Sequence, residues 1–336
     1  MFRVKTSVIS ILLIAGLLLL AGCGANNKEN ASPNAGSSNG ETPAAVDAGT
    51  SSQVKTIKHV WGETTIKGTP IKIVALDYAF IDMLSVLDIK PIATVGIGES
   101  GFPDYLKDQV NGEGITNVGQ AKQPNLEVLK SVKPDLILAN PDRHEMIKDQ
   151  LSDIAPTIAF DDNNYEMVLA NLGLLADVVG KKEQGDKVIQ TIEAKIKEGK
   201  EKMKTAPSAL VVGAFEDDST VWLKSSFVGS LLSGIGVNYL FDGSKDNTAA
   251  ESKTDIAKLS LERLGEYNPE YLFLYGEPEK WLNNPIYKNL QAVKENKAIT
   301  VSRDLWSKGR GPRAAELIID QALKTMAGGN NNIPRR

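Results

Sequence analysis

Two stretches of this chain carry one pattern at one spacing, and the pattern calls for a sheet. Leu126-Glu127-Val128-Leu129 leads to Pro134-Asp135-Leu136-Ile137-Leu138, and Leu261-Glu262-Arg263-Leu264 leads to Pro269-Glu270-Tyr271-Leu272-Phe273-Leu274. Each copy reads as a helix, a proline that stops it and an apolar strand, because the residue before a proline is steered out of helical geometry. Unrelated βαβ units can also produce this order. The glutamates at matching positions favour two lobes of one ancestry.

The rest of the chain alternates in the same way. In the first half, strand-like runs at 71–76, 92–97, 115–119, 136–140 and 157–160 are separated by helical patterns at 80–87, 104–110, 126–132 and 144–152. In the second half, strands at 209–215, 239–241, 271–275 and 299–302 alternate with helices at 227–234, 261–267, 286–293 and 313–326. Alternation of this kind predicts parallel sheets covered on both faces. A hairpin at 55–59 and 63–67, around Trp61-Gly62, precedes them.

Between the halves, residues 163–205 show no strand signal. Leu169, Leu172, Leu175 and Val178, then Val188, Ile192 and Ile196, form an apolar stripe at helical spacing that only Gly180 interrupts. At ~1.5 Å per residue this segment is long enough to join two lobes, although a helix belonging to one lobe is the alternative. The expected fold is therefore α/β: two Rossmann-like lobes, 54–162 and 206–330, with parallel-type sheets bridged by a long α-helix.

The first 53 residues read differently. Arg3 and Lys5 precede an apolar run from Ile11 to Leu20, and Leu20-Ala21-Gly22 leads to Cys23. A basic start, a short apolar run and small residues at the end make a secretory leader, and the run falls short of the ~20 residues that span a bilayer. Residues 1–22 are expected to be a signal peptide. Residues 23–53, almost all Asn, Ala, Ser, Gly, Thr, Pro, Lys and Glu, are expected to be a tether without a core.

The chain has 38 basic and 42 acidic residues, a net charge of −4, which argues against a nucleic-acid partner. One cysteine forbids an intrachain disulfide, and two histidines are too few for a zinc or haem cage. Against this acidic background, Arg303, Lys308, Arg310 and Arg313 crowd one post-strand loop with Asp304 as its only acid and Trp306 as its aromatic. A carboxylate at ~4 Å would attract each such cation by about 4 kcal/mol at an effective dielectric of 20. Arginine's planar fork suits carboxylates. A solvated basic loop is the alternative, but these cations precede a helix, where the dipole disfavours them, so an anionic ligand is favoured.

Ligands of parallel sheets sit beyond the carboxyl ends of strands. On the first lobe that rule selects Lys122 and Arg143. Tyr78, Trp222 and Trp306 are candidates for apolar walls; core packing is the competing role for the first two. Ser226 reads as a helix cap, and His59 and His144 as ordinary polar residues.

Taken together, the chain resembles the helical-backbone (class III) substrate-binding proteins of ABC importers, and within them the iron(III)-siderophore and ferric citrate binding lipoproteins. The likeness spans about 54–327. It rests on Trp61-Gly62 with Ile66-Lys67-Gly68-Thr69-Pro70, on Arg143-His144 before Ile154-Ala155-Pro156-Thr157, and on Trp306-Ser307-Lys308-Gly309-Arg310-Gly311. Small residues directly before Cys23 resemble a lipobox, which implies lipid on that thiol and a membrane-anchored, extracytoplasmic protein. The resemblance further implies a monomeric receptor, not an enzyme, with no cofactor. Its ligand would be an Fe(III) chelate, ferric citrate or a carboxylate-type siderophore, whose iron is held by the chelator and by no protein ligand. Arg143, Arg303 and Arg310, with Lys308, match the family's ligand-binding pattern; lysine at 308 lacks the bidentate fork. One acid per lobe, here Glu127 and Glu262, would dock on the transmembrane permease. Hydroxamate or catecholate siderophores are the alternative ligands, with haem and cobalamin further off.

An enzyme is the rival of a different class. No Gly-x-Ser-x-Gly elbow occurs, neither histidine sits beside a recognisable nucleophile, and Gly96-Ile97-Gly98 lacks the third glycine of a dinucleotide loop.

Overall fold

A computed structural model describes residues 54–96, 101–110, 112–215, 219–244 and 255–328. The leader, Cys23 and the tether lie outside the described residues, as do Glu216 and Asp217 and part of the loop at 98–103. The chain opens on an antiparallel hairpin, β1 (Val54–His59) and β2 (Gly62–Lys67), turned at Gly62, whose φ of 115° suits a residue without Cβ.

The first sheet holds β3 (Ile73–Ala75), β4 (Ala93–Thr94), β5 (Thr116–Asn117), and, after a small hairpin of β6 (Gly119–Gln120) and β7 (Gln123–Pro124), β8 (Leu136–Ala139) and β9 (Thr157–Ala159). Its order is β5-β4-β3-β8-β9 and every pairing within it is parallel. Strand residues are buried on both faces: Ile73, Ala75, Leu136 and Leu138 join the main core, while Val74, Ile137 and Ala139 join a second core. That double burial is why these strands read as apolar runs without alternation. Helix α1 (Tyr78–Val86) lies in the main core, and α2 (Leu126–Ser131) and α4 (Lys148–Ile154) contribute Leu129 and Leu151 to the second; α3 (Pro141–His144) sits between them in sequence. The helix expected at 104–110 shrinks to one 3-10 turn at Asp104–Leu106. The β6–β7 hairpin is too short for any periodicity to reveal.

Residues 163–205 form two helices rather than one strut. Helix α5 (Tyr165–Val178) ends ahead of Gly180, whose φ of 70° interrupts the helix, and α6 (Lys182–Lys202) follows. The two pack closely: a Cβ on Gly185 would overlap Ala176. Helix α6 is 21 residues long, and α5 also touches the second lobe, where the N–H of Tyr165 donates to Ser230 Oγ at 3.2 Å. Near the start of α6, Gln184 donates to the carbonyl of Val86 at 2.9 Å; near its end, Gly199 lies against Ile235 of the second lobe.

The second sheet comprises β10 (Ser208–Ala214), β11 (Ser219–Trp222), β12 (Asn238–Tyr239), β13 (Ile256–Lys258), β14 (Tyr271–Gly276) and β15 (Ala298–Thr300), in the order β13-β11-β10-β14-β15 with β12 also on β10. Strands β12, β14 and β15 run parallel to their neighbours as expected, but β11 is antiparallel to β10 and β13 to β11. The sheet is thus mixed, because so short a link from β10 to β11 can only reverse the chain. Helices α7 (Phe227–Gly234), α8 (Leu261–Tyr267), α9 (Pro285–Asn289), α10 (Gln291–Lys294), α11 (Arg303–Trp306) and α12 (Pro312–Met326) complete the lobe. The repeated pattern lands on equivalent places: α2 then β8, and α8 then β14, each strand next to the first strand of its sheet. Helix α12 packs on α1, α5, α6 and α7, and one apolar core runs without a break through residues of both sheets.

Candidate functional site

Strands β3, β8 and β9 are neighbours, so the residues leaving their carboxyl ends converge. Asp77 leaves β3, Asn140 to Arg143 leave β8, and Asp161 and Asp162 leave β9. Asn140 organises the turn. Its side-chain oxygen accepts from the N–H of Arg143 at 3.2 Å, capping α3, with Pro141 at the first helical position. Its amide donates to Asp162 Oδ1 at 2.9 Å. Buried His144 completes the frame: Nδ1 accepts from the Asn140 N–H at 3.0 Å, which leaves Nε2–H to donate to the carbonyl of Ala121 at 2.7 Å. Burial, the largest influence, pushes its pKa down, in keeping with a neutral structural ring.

Arg143 pairs with the buried carboxylate of Asp77. Arg310, from the second lobe, has its guanidinium 5.3 Å from the centre of the Trp222 ring. Its Nη2 is paired with Asp255 and its Nη1 lies 3.6 Å from Asp162 Oδ1. Asp162 acts electrostatically on both arginines, and the two arginines act on each other. Arg143 and Arg310, one from each lobe, are thus near enough to interact electrostatically. Burial lowers the pKa of Arg143 and outweighs the pull of Asp162. For Arg310 burial is again the largest single influence, but Asp162 and Asp255 together exceed it and raise the pKa.

Arg310 is fixed from behind. Gly311 and Pro312 follow it at the start of α12, and Asp82 of α1 supplies the cap that Gly311 cannot. The Asp82 carboxylate accepts from the N–H of Arg313 at 2.7 Å and of Ala314 at 3.0 Å, and a Cβ on Gly311 would overlap it. Asp82 is fully buried, and that burial, opposed chiefly by these two hydrogen bonds, raises its pKa to about 7.

The other candidates divide. Trp222 is buried, with its indole N–H unpartnered and Arg310 over its ring. Tyr78 is half-buried at the start of α1, its hydroxyl packed on Gly96. Lys122 is exposed at the tip of the β6–β7 hairpin, beside the Ala121 carbonyl that holds His144. Arg303 is exposed, with its guanidinium 5.6 Å from the centre of the Phe215 ring, and Lys308 pairs with Asp304 at 2.7 Å.

Trp306 corrects the sequence reading. It is 1% exposed, stacks on Phe273 at 4.5 Å between ring centres, and donates its indole N–H to Gln321 at 2.7 Å. Its place among the cations of the loop suggested a ligand wall; the short helix α11 turns it inward onto β14 instead. Glu127 and Glu262 are both exposed in the first turns of α2 and α8, which Asn125 and Ser260 cap.

Sequence reasoning missed Asp82, Asp162 and Asp255. The signal for Asp162 was its position directly after a buried strand; no local pattern marks the other two. These acids also correct the expected charge inversion: around Arg143 and Arg310 stand Asp77, Asp142, Asp161, Asp162 and Asp255. Two hollows elsewhere, about 480 Å³ beside Glu198 and Asp320 and about 450 Å³ beside Lys55 and Asp177, include none of the candidate residues.

The chain is similar to known proteins. The chain is 30% identical over 328 residues to the Fe(3+)-citrate-binding protein YfmC of Bacillus subtilis (strain 168), covering 95% of this chain and 96% of that one. It is 28% identical to the Fe(3+) dicitrate-binding periplasmic protein FecB of Escherichia coli (strain K12), over 80% of this chain and 89% of that one. Among solved structures, Staphylococcus aureus SirA complexed with staphyloferrin B matches with a TM-score of 0.70 and 25% identity, over 81% of this chain and 98% of that one. The family model described as periplasmic binding protein matches residues 73–305, spanning both sheets and the helical connection between them, so this chain belongs to the periplasmic binding protein family.

Proposed function

We propose that this protein is the extracytoplasmic receptor of an ABC importer for a negatively charged iron(III) chelate, ferric citrate or a carboxylate-type siderophore. The observation that carries the reading is the meeting of Arg143 and Arg310, from opposite lobes, around Asp162. Two planar forks, that of Arg310 resting on the Trp222 ring, suit a guest that presents carboxylates on more than one side. Ferric citrate is the ligand named for two of the relatives, and staphyloferrin B for the solved neighbour. The iron travels inside its chelator, and the protein contributes cations rather than metal ligands. No reaction is assigned to the site, and the protein acts as a monomer. Lipid on Cys23 anchors it to the membrane, and Glu127 and Glu262, one per lobe, dock it on the permease.

Tryptophan-fluorescence titration with ferric citrate, ferric hydroxamates and catecholates, haem and cobalamin tests this reading. Arg143→Ala and Arg310→Ala should each weaken the preferred anionic chelate by at least about thirtyfold, the scale for truncating a buried charged contact. Arg303→Ala, at the exposed rim, should cost less than about fivefold. Unchanged affinity in both the Arg143 and the Arg310 variants, or preference for an uncharged ligand, refutes the assignment.

A further inference from the structure

The Arg310 fork is already occupied. One terminal nitrogen is paired with Asp255 and the other faces Asp162, while the side chain is only 13% exposed. We infer that Asp255 and Asp162 hold the positions on the Arg310 fork that a ligand's carboxylates would take, so that binding is an exchange in which the chelate displaces Asp255 from Arg310. The inference rests on the reading of the site as a receptor for anionic chelates and adds a residue that sets how much charge a ligand must bring.

Three features make exchange easier than breaking an isolated buried pair. Asp255 is crowded by its own kind: burial raises its pKa most, Arg310 opposes this, and Asp162 and Asp161 add repulsion. Asp142, on α3, is raised likewise, by burial and then by Asp161, Asp162 and Asp255. The groups acting on Asp255 thus come from the loop before α12, the end of β9 and α3, and the cations among them are Arg310, paired with it, and Arg143. Second, Trp222 supports the guanidinium from one face, so the fork stays in place as its partner changes. Third, Asp162 is held by Asn140 as well as by Arg310, so it remains anchored when Asp255 leaves. A weakly charged guest cannot outbid the built-in acid. A guest with several carboxylates brings enough charge to replace Asp255 on the fork, and the departure of Asp255 relieves its repulsion with Asp161 and Asp162.

The test uses the full chain and its Asp255→Asn variant, titrated with ferric citrate and with iron-free citrate at pH 8. Loss of the competing charge should tighten both by about tenfold, equivalent to about 1.4 kcal/mol. Equal or weaker binding by a variant that melts like the parent overturns the exchange, because Asp255 would then support Arg310 rather than compete for it. Should that variant fail to fold, Asp255→Ser takes its place: the same gain for citrate is expected, and equal or weaker binding overturns the inference. Failure of the receptor reading looks different. If the variant gains affinity for citrate while no ferric chelate binds either protein, exchange stands and the proposed ligand falls. If ferric citrate binds the parent and the variant gains nothing, the reverse holds.

Discussion

Asp82→Asn keeps the shape of the buried group that caps α12 and leaves one oxygen to accept from Arg313 or Ala314, but it removes the titration. In the parent, the pKa is raised from 3.8 to about 7, foremost by burial and against the two backbone hydrogen bonds. A shift of ~3 units at ~1.4 kcal/mol each is about 4 kcal/mol. The sign follows from proton counts. Between the two pKa values the folded protein holds a proton that the unfolded chain has lost, so acid favours the fold. This contribution is full below the unfolded pKa, declines as pH rises and is gone above about pH 7. Urea melts of parent and variant from pH 5 to pH 8 isolate the effect, since every other carboxylate cancels in the difference. The parent should lose roughly 3 kcal/mol relative to the variant across that range. Parallel curves would refute the reasoning, and would mean that hydrogen bonds to the carboxylate fully offset its burial.

Trp306→Ala should cost about 3–5 kcal/mol in a denaturant melt, the range for removing a large buried aromatic, while the affinity of the folded fraction for the preferred chelate changes by less than about twofold. A selective loss of affinity without loss of stability would return Trp306 to the binding wall. Glu127→Ala and Glu262→Ala should leave ligand titrations unchanged and stability within about 1 kcal/mol, yet the double variant should abolish uptake in cells. Normal uptake by the double variant removes the docking assignment.

The helix–proline–strand repeat was legible because both its periods are local: four residues set the helix and a proline ends it. Both copies appear at equivalent sheet positions. Arg143 and Arg310 were legible because cations after buried strands in an acidic chain are out of place. Trp306 was misread since burial depends on the direction in which α11 turns, and four residues carry no record of that. Gly180 was noticed, but its breaking of the helix depends on a positive φ that the sequence permits without requiring. Asp82 and Asp255 could not be found at all. Asp82 caps a helix that lies 231 residues downstream, and Asp255 meets Arg310 only once β13 pairs with β11.

Helix α12 is the last element among the described residues, yet its buried side, Ala315, Ile318, Ile319 and Ala322, is covered by elements from the first lobe, the connection and the second lobe. Dissecting the gene into separately expressed halves would strip that cover and the Asp82 cap from one fragment and leave the buried Asp82 of the other without the N–H groups that donate to it. The fold is therefore indivisible in practice: it should melt in a single cooperative step, and neither half should serve as a soluble mimic of the whole.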